Sequence, residues 1–161
     1  MHDGAVSIRT RPQFTTLCER LVRASIALRD RGCLMQAIAR RYYVVYTIAT
    51  YLAAKYGITA RRRREAATRE AERYHHEDIP DIVRALYTGT RSGKMSHGTH
   101  SGVLGAVLTE HQAFVHAADL QRVRTLADYG YTDRLELYNA DEANGYLANA
   151  NHLIADLRTL L

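Results

Sequence analysis

The sequence predicts an all-α fold, an up-and-down bundle of four or five helices. Apolar residues recur at helical spacing in several long segments, alanine and leucine are abundant, and the only prolines are Pro12 and Pro80. No Asn-Gly pair lies between alternating strands, so the sequence does not indicate hairpins. A length of 161 residues suits one domain. We assign that domain to residues 11–161 and expect residues 1–10 to form a flexible N-terminal arm.

The first two predicted helices each end at a glycine. The first covers about residues 12–31 and stops at Gly32, and the second covers about residues 34–56 and stops at Gly57. The second helix is apolar nearly all round, which predicts the buried centre of the bundle.

A charged segment follows, ITARRRREAATREAERYHHEDIPDIVRALY. Its first half predicts a solvent-facing helix. The run Arg61–Arg64 has the charge to bind a phosphate backbone, but nearby acidic residues can pair with it at (i, i+4), so we favour a solvated helix face. The residue before Pro80 resists α geometry, which predicts a break there and a short helix through Tyr87.

The last third of the chain predicts a loop and two more helices. The Gly-, Ser- and Thr-rich stretch from Thr88 to Gly102 predicts a mobile loop. Helix four is expected over about 103–128 and helix five over about 140–161, where Asn139 and Glu142 form a capping box.

Composition narrows the functional classes. The net charge is +5 and almost all of the positive charge is arginine, which suits phosphate or carboxylate partners and does not choose between nucleic acid and an acidic protein. No apolar run approaches the roughly 20 residues of a membrane span, and the first residues lack the apolar core of a signal peptide. We therefore expect a cytoplasmic protein without a membrane partner.

Metal and cofactor signatures are missing from the sequence. Cys18 and Cys33 lack CxxC spacing and are expected to be reduced packing residues. His75 and His76 are adjacent and diverge on a helix, and the loop histidines lack companion ligands, so we expect no metal site. Walker, Rossmann, GxSxG and Cys-His signatures are absent as well, and no cofactor is expected.

The central helix carries RRYYVVY, from Arg40 to Tyr46. Its three tyrosines cannot all point the same way, because consecutive residues lie about 100° apart on a helix. One interpretation is an aromatic core with hydroxyls at its rim. The other is that one tyrosine lines a groove beside helix four, which makes Arg40 and Tyr43 candidates for substrate or partner binding.

The end of helix four, LQRVRTLADYGYTDR, opposes simple helix electrostatics. Asp128 lies near the C-terminus, where the helix dipole disfavours a negative charge. Arg124 precedes this acidic partner, which is the weaker order for an (i, i+4) pair.

Four segments in order resemble the HEPN superfamily (higher eukaryotes and prokaryotes nucleotide-binding domain), in its small prokaryotic branch. RTLADYG matches that branch's Arg-x-x-Ala-Asp-Tyr-Gly motif, AIARRYYVVYTIATYLAAKYG resembles its central helix, THSGVLGAV its entry into helix four, and DEANGYLANANHLIADLRTLL its final helix. The likeness spans about residues 16–161.

The resemblance implies a five-helix bundle that commonly dimerises and is often encoded beside a nucleotidyltransferase as a toxin–antitoxin pair. Active relatives cleave RNA without metal, using an Arg and a His four to six residues further on. Here Arg124 matches the Arg and Asp128 stands in place of the His, so Tyr129 or His100 would supply the proton transfer. In other relatives the partner adenylylates a tyrosine of this motif, and Tyr129 and Tyr131 are the candidate acceptors. Three hypotheses follow: a toxin-type ribonuclease, a binding module for a nucleotidyltransferase, and a structural dimerising bundle.

Overall fold

A computed structural model describes residues 11–60, 74–89, 95–96, 102–103, 106–129 and 139–161. These residues form five α-helices, which are α1 (Arg11–Asp30), α2 (Leu34–Tyr56), α3 (Ile79–Thr88), α4 (Glu110–Tyr129) and α5 (Ala140–Arg158). The extended structure within the same residues is one two-residue antiparallel pair, β1 (Thr59–Ala60) with β2 (Met95–Ser96). The all-α prediction is confirmed.

Helix α2 is the centre of the packed helices, as its all-round apolarity predicts. It packs against α1, α3, α4 and α5, so most of its surface is covered along its middle turns. Ile38, Tyr42, Ile48 and Leu52 have no exposed surface. Burying apolar side chains of this size contributes roughly 1.5–3 kcal/mol each, which makes α2 the main contributor to the core.

Both predicted glycine stops are confirmed. Gly32 has φ +78° and Gly57 has φ +66°, a left-handed conformation that glycine adopts without a Cβ clash. The N–H of Gly57 donates to the carbonyls of Ala53 and Ala54, which satisfies carbonyls that the helix end would otherwise leave unpaired.

The short third helix is confirmed, but the reason for the break before it is corrected. Ile79 has φ −58° and ψ −44°, which is α geometry, and Pro80 lies in the first turn of α3. Proline is tolerated there because a first-turn N–H has no partner within the helix. A 3₁₀ turn, His76–Asp78, leads into α3.

Helix α4 begins at Glu110, later than the predicted start near residue 103. The N–H of Gln112 donates to Thr109 Oγ1 at 3.1 Å, and the N–H of Thr109 donates to Gln112 Oε1 at 2.9 Å. This reciprocal pair is a Thr-x-x-Gln capping box, so the sequence itself carries the signal for the later start.

The segment before α4 is held by a buried carboxylate. Asp156 on α5 accepts hydrogen bonds from the N–H groups of Val107 and Leu108 at 2.9 and 3.0 Å and from the Tyr87 hydroxyl at 2.6 Å. Backbone N–H groups that bond a side chain in this way do not need a helix to satisfy them, and residues 106–109 are accordingly non-helical.

Helix α5 starts where predicted, because Asn139 Oδ1 accepts the Glu142 N–H at 2.9 Å. It ends at Arg158 rather than at residue 161. Cys18 and Cys33 are both free thiols. Cys18 is buried, which confirms it as a packing residue, whereas Cys33 is exposed, so the prediction that it packs in the core is wrong. Within the described helices, none has both the length and the apolarity to cross a membrane. The N-terminal arm, the charged segment at 61–73 and most of the 88–102 loop lie outside the described residues.

Candidate functional site

Helices α2 and α4 bring together Tyr43, Arg124 and Asp128, which we call the Arg124 cluster. Arg124 Nε donates to the Tyr43 hydroxyl at 3.0 Å, and that hydroxyl donates to Asp128 Oδ2 at 2.7 Å. Arg124 Nε also lies 3.0 Å from Asp128 Oδ2. Two charged groups and one phenol therefore form a closed triangle between the two helices.

The triangle explains the electrostatically unfavourable end of α4. Arg124 is only 9% exposed, and a buried guanidinium needs a compensating charge and hydrogen-bond acceptors. Asp128, one turn later, supplies the charge, and Tyr43 from α2 supplies the acceptor. A few tenths of a kcal/mol lost to the helix dipole and the reversed pair order are small beside the cost of leaving Arg124 unpaired.

The end of α4 is tied to α2 by a second contact. Gln36 Nε2 donates to the carbonyl oxygen of Ala127 at 3.1 Å. This satisfies a last-turn carbonyl that has no partner within the helix. Because Ala127 directly precedes Asp128, the contact also fixes the position of the carboxylate.

The pKa shifts within the Arg124 cluster oppose proton transfer by Tyr43. Burial raises the pKa of Tyr43, the hydrogen bond to Asp128 raises it further, and Arg124 opposes both. Burial lowers the pKa of Arg124, but the hydrogen bond to Tyr43 and the nearby Asp128 outweigh it and leave that pKa raised. Tyr43 thus stays protonated and Arg124 stays charged at neutral pH.

The Arg124 guanidinium has one edge that the described residues do not use. Nε is used within the cluster, whereas the two Nη atoms donate to no described residue. The Tyr129 ring lies 5.5 Å from the guanidinium carbon and is 58% exposed. The cluster therefore offers a positioned cation beside an exposed aromatic face, which suits a phosphate next to a stacked base.

His76 lies beside the cluster, and sequence reasoning assigned it no role. Its Nδ1 is 2.9 Å from the Tyr42 hydroxyl, and its ring centroid lies 5.8 Å from that of Tyr43. The Tyr46 hydroxyl donates to the Tyr74 carbonyl at 2.9 Å, which places the segment before α3 against α2. No spacing rule links His76 to residues more than 30 positions earlier, so no sequence signal marked it.

The tyrosines of the RRYYVVY segment fit both sequence-based interpretations, the aromatic core and the groove beside α4. Tyr42 is buried in the core, whereas Tyr43 lies between α2 and α4, as the groove interpretation expects. Arg40 is exposed and bonds no described residue. His100, Tyr131 and the Arg61–Arg64 run lie outside the described residues, so their predicted roles stay predictions.

Comparisons of this chain with protein-family profiles, with curated proteins and with solved structures each gave no match. The motif residues and the geometry of the Arg124 cluster are therefore the features that bear on function.

Proposed function

We propose that this chain is a HEPN-type domain that binds RNA, with Arg124 contacting a phosphate, and that it acts as the toxin component of a pair with a nucleotidyltransferase. The observation that carries the proposal is the Arg124 cluster, in which Tyr43 and Asp128 fix Nε while the Nη edge has no described acceptor. A guanidinium edge held in this way is pre-organised to form two parallel hydrogen bonds to one phosphate.

RNA binding is better supported than RNA cleavage. Attack by a ribose 2′-hydroxyl without metal needs a base, an acid and charge stabilisation. Arg124 can stabilise the charged phosphorane, but Asp128 is engaged with Arg124 and Tyr43. His76 is an imidazole in contact with Tyr43 and is our candidate for proton transfer in any cleavage activity, ahead of Tyr129.

The test measures binding and cleavage in one experiment. A fluorescent single-stranded RNA is titrated with protein in EDTA, and the products are analysed for 2′,3′-cyclic phosphate ends. Arg124→Gln should weaken binding by roughly tenfold or more, since it removes charge-assisted hydrogen bonds. Arg122→Gln is the matched control, because Arg122 is exposed on the same helix two residues away.

The outcomes separate the hypotheses. Cyclic phosphate ends that disappear in Arg124→Gln would establish the ribonuclease. Binding without products would establish an RNA-binding module. Equal affinity of the Arg124→Gln and Arg122→Gln variants would reject an RNA site at the cluster and leave the structural bundle. The resemblance also implies a homodimer, which sedimentation velocity tests directly.

A second candidate function is the binding module for a nucleotidyltransferase, with Tyr129 as the AMP acceptor. The exposure of the Tyr129 ring beside Arg124 favours it, because an acceptor must reach a partner's active site and a nearby cation lowers the repulsion felt by a nucleotide. Co-expression with the neighbouring reading frame and intact-mass measurement test it. An unmodified mass in a stable complex would leave partner binding and reject Tyr129 as the acceptor.

A further inference from the structure

A groove lined by arginines lies between α1, α2 and α5, and we call it the Arg41 groove. Its cavity has a volume of about 510 Å³, within the range of roughly 300–1,000 Å³ that holds small ligands. Arg41 forms its inner wall, Arg23 and Arg158 lie at its rim, and Val22 and Ile154 give it an apolar side.

Arg41 is fixed in place by neutral groups alone. Its Nε donates to the Ser25 hydroxyl at 3.4 Å, and its Nη1 donates to the Asn151 side-chain oxygen. The Ser25 hydroxyl is itself buried and donates to the Ala37 carbonyl at 2.8 Å. The guanidinium is thus oriented toward the groove, and no described carboxylate pairs with it.

Among the described residues, the positive charge of the groove is only partly compensated. Glu19 is the one acidic residue among the groove-lining residues, and it lies 3.9 Å from Arg23 with both side chains largely exposed. Such an exposed pair contributes little. Burial lowers the pKa of Arg41, and the charge of Arg29 lowers it further, which indicates that an anion placed here would relieve an existing electrostatic cost.

The Arg41 groove is separate from the Arg124 cluster. Arg41 and Tyr43 are two residues apart on α2, so they point about 200° apart around the helix. Tyr43 contacts α4, whereas Arg41 contacts α1 and α5. A ligand in the groove would therefore leave the α2–α4 site accessible.

We propose that the Arg41 groove binds a small organic phosphate monoester, whose phosphate pairs with Arg41 and Arg158 and whose apolar part lies on Val22 and Ile154. Guanidinium groups match the planar, doubly hydrogen-bonded recognition of phosphate. Several arginines favour a dianion over a singly charged carboxylate. The cavity is larger than free phosphate requires, and the apolar wall adds affinity for an attached hydrocarbon.

Calorimetric titration of the full chain with phenyl phosphate tests this proposal, alongside inorganic phosphate, benzoate and phenol at constant ionic strength. Phenyl phosphate should bind, inorganic phosphate and benzoate should bind at least several-fold more weakly, and phenol should not bind. Arg41→Gln should weaken phenyl phosphate binding by roughly tenfold or more. Arg20→Gln, an exposed change on α1 outside the groove, should leave it within about twofold.

Arg158→Gln at the rim provides a second variant in case Arg41→Gln fails to fold, and it should weaken binding several-fold. The proposal is overturned if phenyl phosphate does not bind, if benzoate binds as tightly, or if Arg20→Gln weakens binding as much as the groove variants. Retained phenyl phosphate binding in Arg124→Gln is expected, and it separates this result from any failure of the RNA-binding proposal.

Discussion

Tyr43→Phe is the sharpest test of the Arg124 cluster, because it removes one oxygen atom and keeps the ring. That oxygen accepts from Arg124 at 3.0 Å and donates to Asp128 at 2.7 Å. Hydrogen bonds to charged groups contribute roughly 1.5–3 kcal/mol each. Asp128 is 26% exposed at its side chain, so water can replace part of its bond and the lower value applies there.

The ion pair that remains limits the loss. Arg124 and Asp128 stay 3.0 Å apart without the phenol oxygen, so neither charge is left wholly uncompensated. We therefore expect Tyr43→Phe to lower the free energy of unfolding by about 2 kcal/mol. The corresponding fall in Tm is roughly 4–8 °C for a domain of this size.

Urea denaturation followed by circular dichroism measures the change. Tyr51→Phe is the matched control, since Tyr51 lies on the same helix, packs on Phe14 and has no hydrogen bond from its hydroxyl to a described residue. It should change stability by less than about 0.5 kcal/mol. A double-mutant cycle with Asp128→Asn should give a coupling energy of about 1 kcal/mol or more. Equal effects of the two tyrosine variants, or additivity in the cycle, would refute the cluster as a coupled unit.

Four further predictions concern the rest of the fold. Gly102→Ala should destabilise the protein by roughly 2 kcal/mol or more in urea denaturation, because φ is +71° and a Cβ would lie 2.6 Å from the Tyr87 carbonyl oxygen. By contrast, a Cβ added at Gly145 inside α5 would have no neighbouring atom within 4 Å. Gly145→Ala should therefore stabilise the protein by about 0.5–1 kcal/mol, and a loss of stability would contradict this packing. Burial raises the pKa values of Tyr42 and Tyr87 above the ordinary 10.0, and for Tyr87 the hydrogen bond to Asp156 adds to the rise. Their contribution to stability is therefore complete below pH 10 and is lost as the pH rises above it. In denaturation measurements, Tyr42→Phe should therefore lose less stability than wild type as the pH rises above 10. An equal loss in the two proteins would contradict this reasoning. Burial lowers the pKa of His116, and His152 adds to the fall while Asp119 opposes it. Stability from His116 is thus present above its ordinary pKa of 6.5 and is lost as the pH falls below that value; His116→Gln should be less acid-sensitive in thermal melts, and an unchanged acid dependence would exclude this histidine.

Local patterns determined most of the helical framework. The all-round apolarity of 34–56 predicted the central helix, because a helix with no polar side must be buried on every side. Gly32, Gly57 and the Asn139 cap predicted helix ends because each rests on backbone geometry within a few residues. The late start of α4 depends on a local pattern and on a tertiary contact. The Thr109–Gln112 capping box is local, whereas Asp156 holds Val107 and Leu108 from 48 or more residues away.

The sequence by itself also determined that Arg124 and Asp128 are neighbours, since (i, i+4) positions share a helix face. Only the tertiary structure decided that Tyr43 joins them, that His76 lies against Tyr43, and that Arg41 faces a groove where no described carboxylate pairs with it. These contacts join residues that are 16 to 110 positions apart. Helical periodicity says which way a side chain points from its own helix, but the side chain it meets is set by how the helices pack.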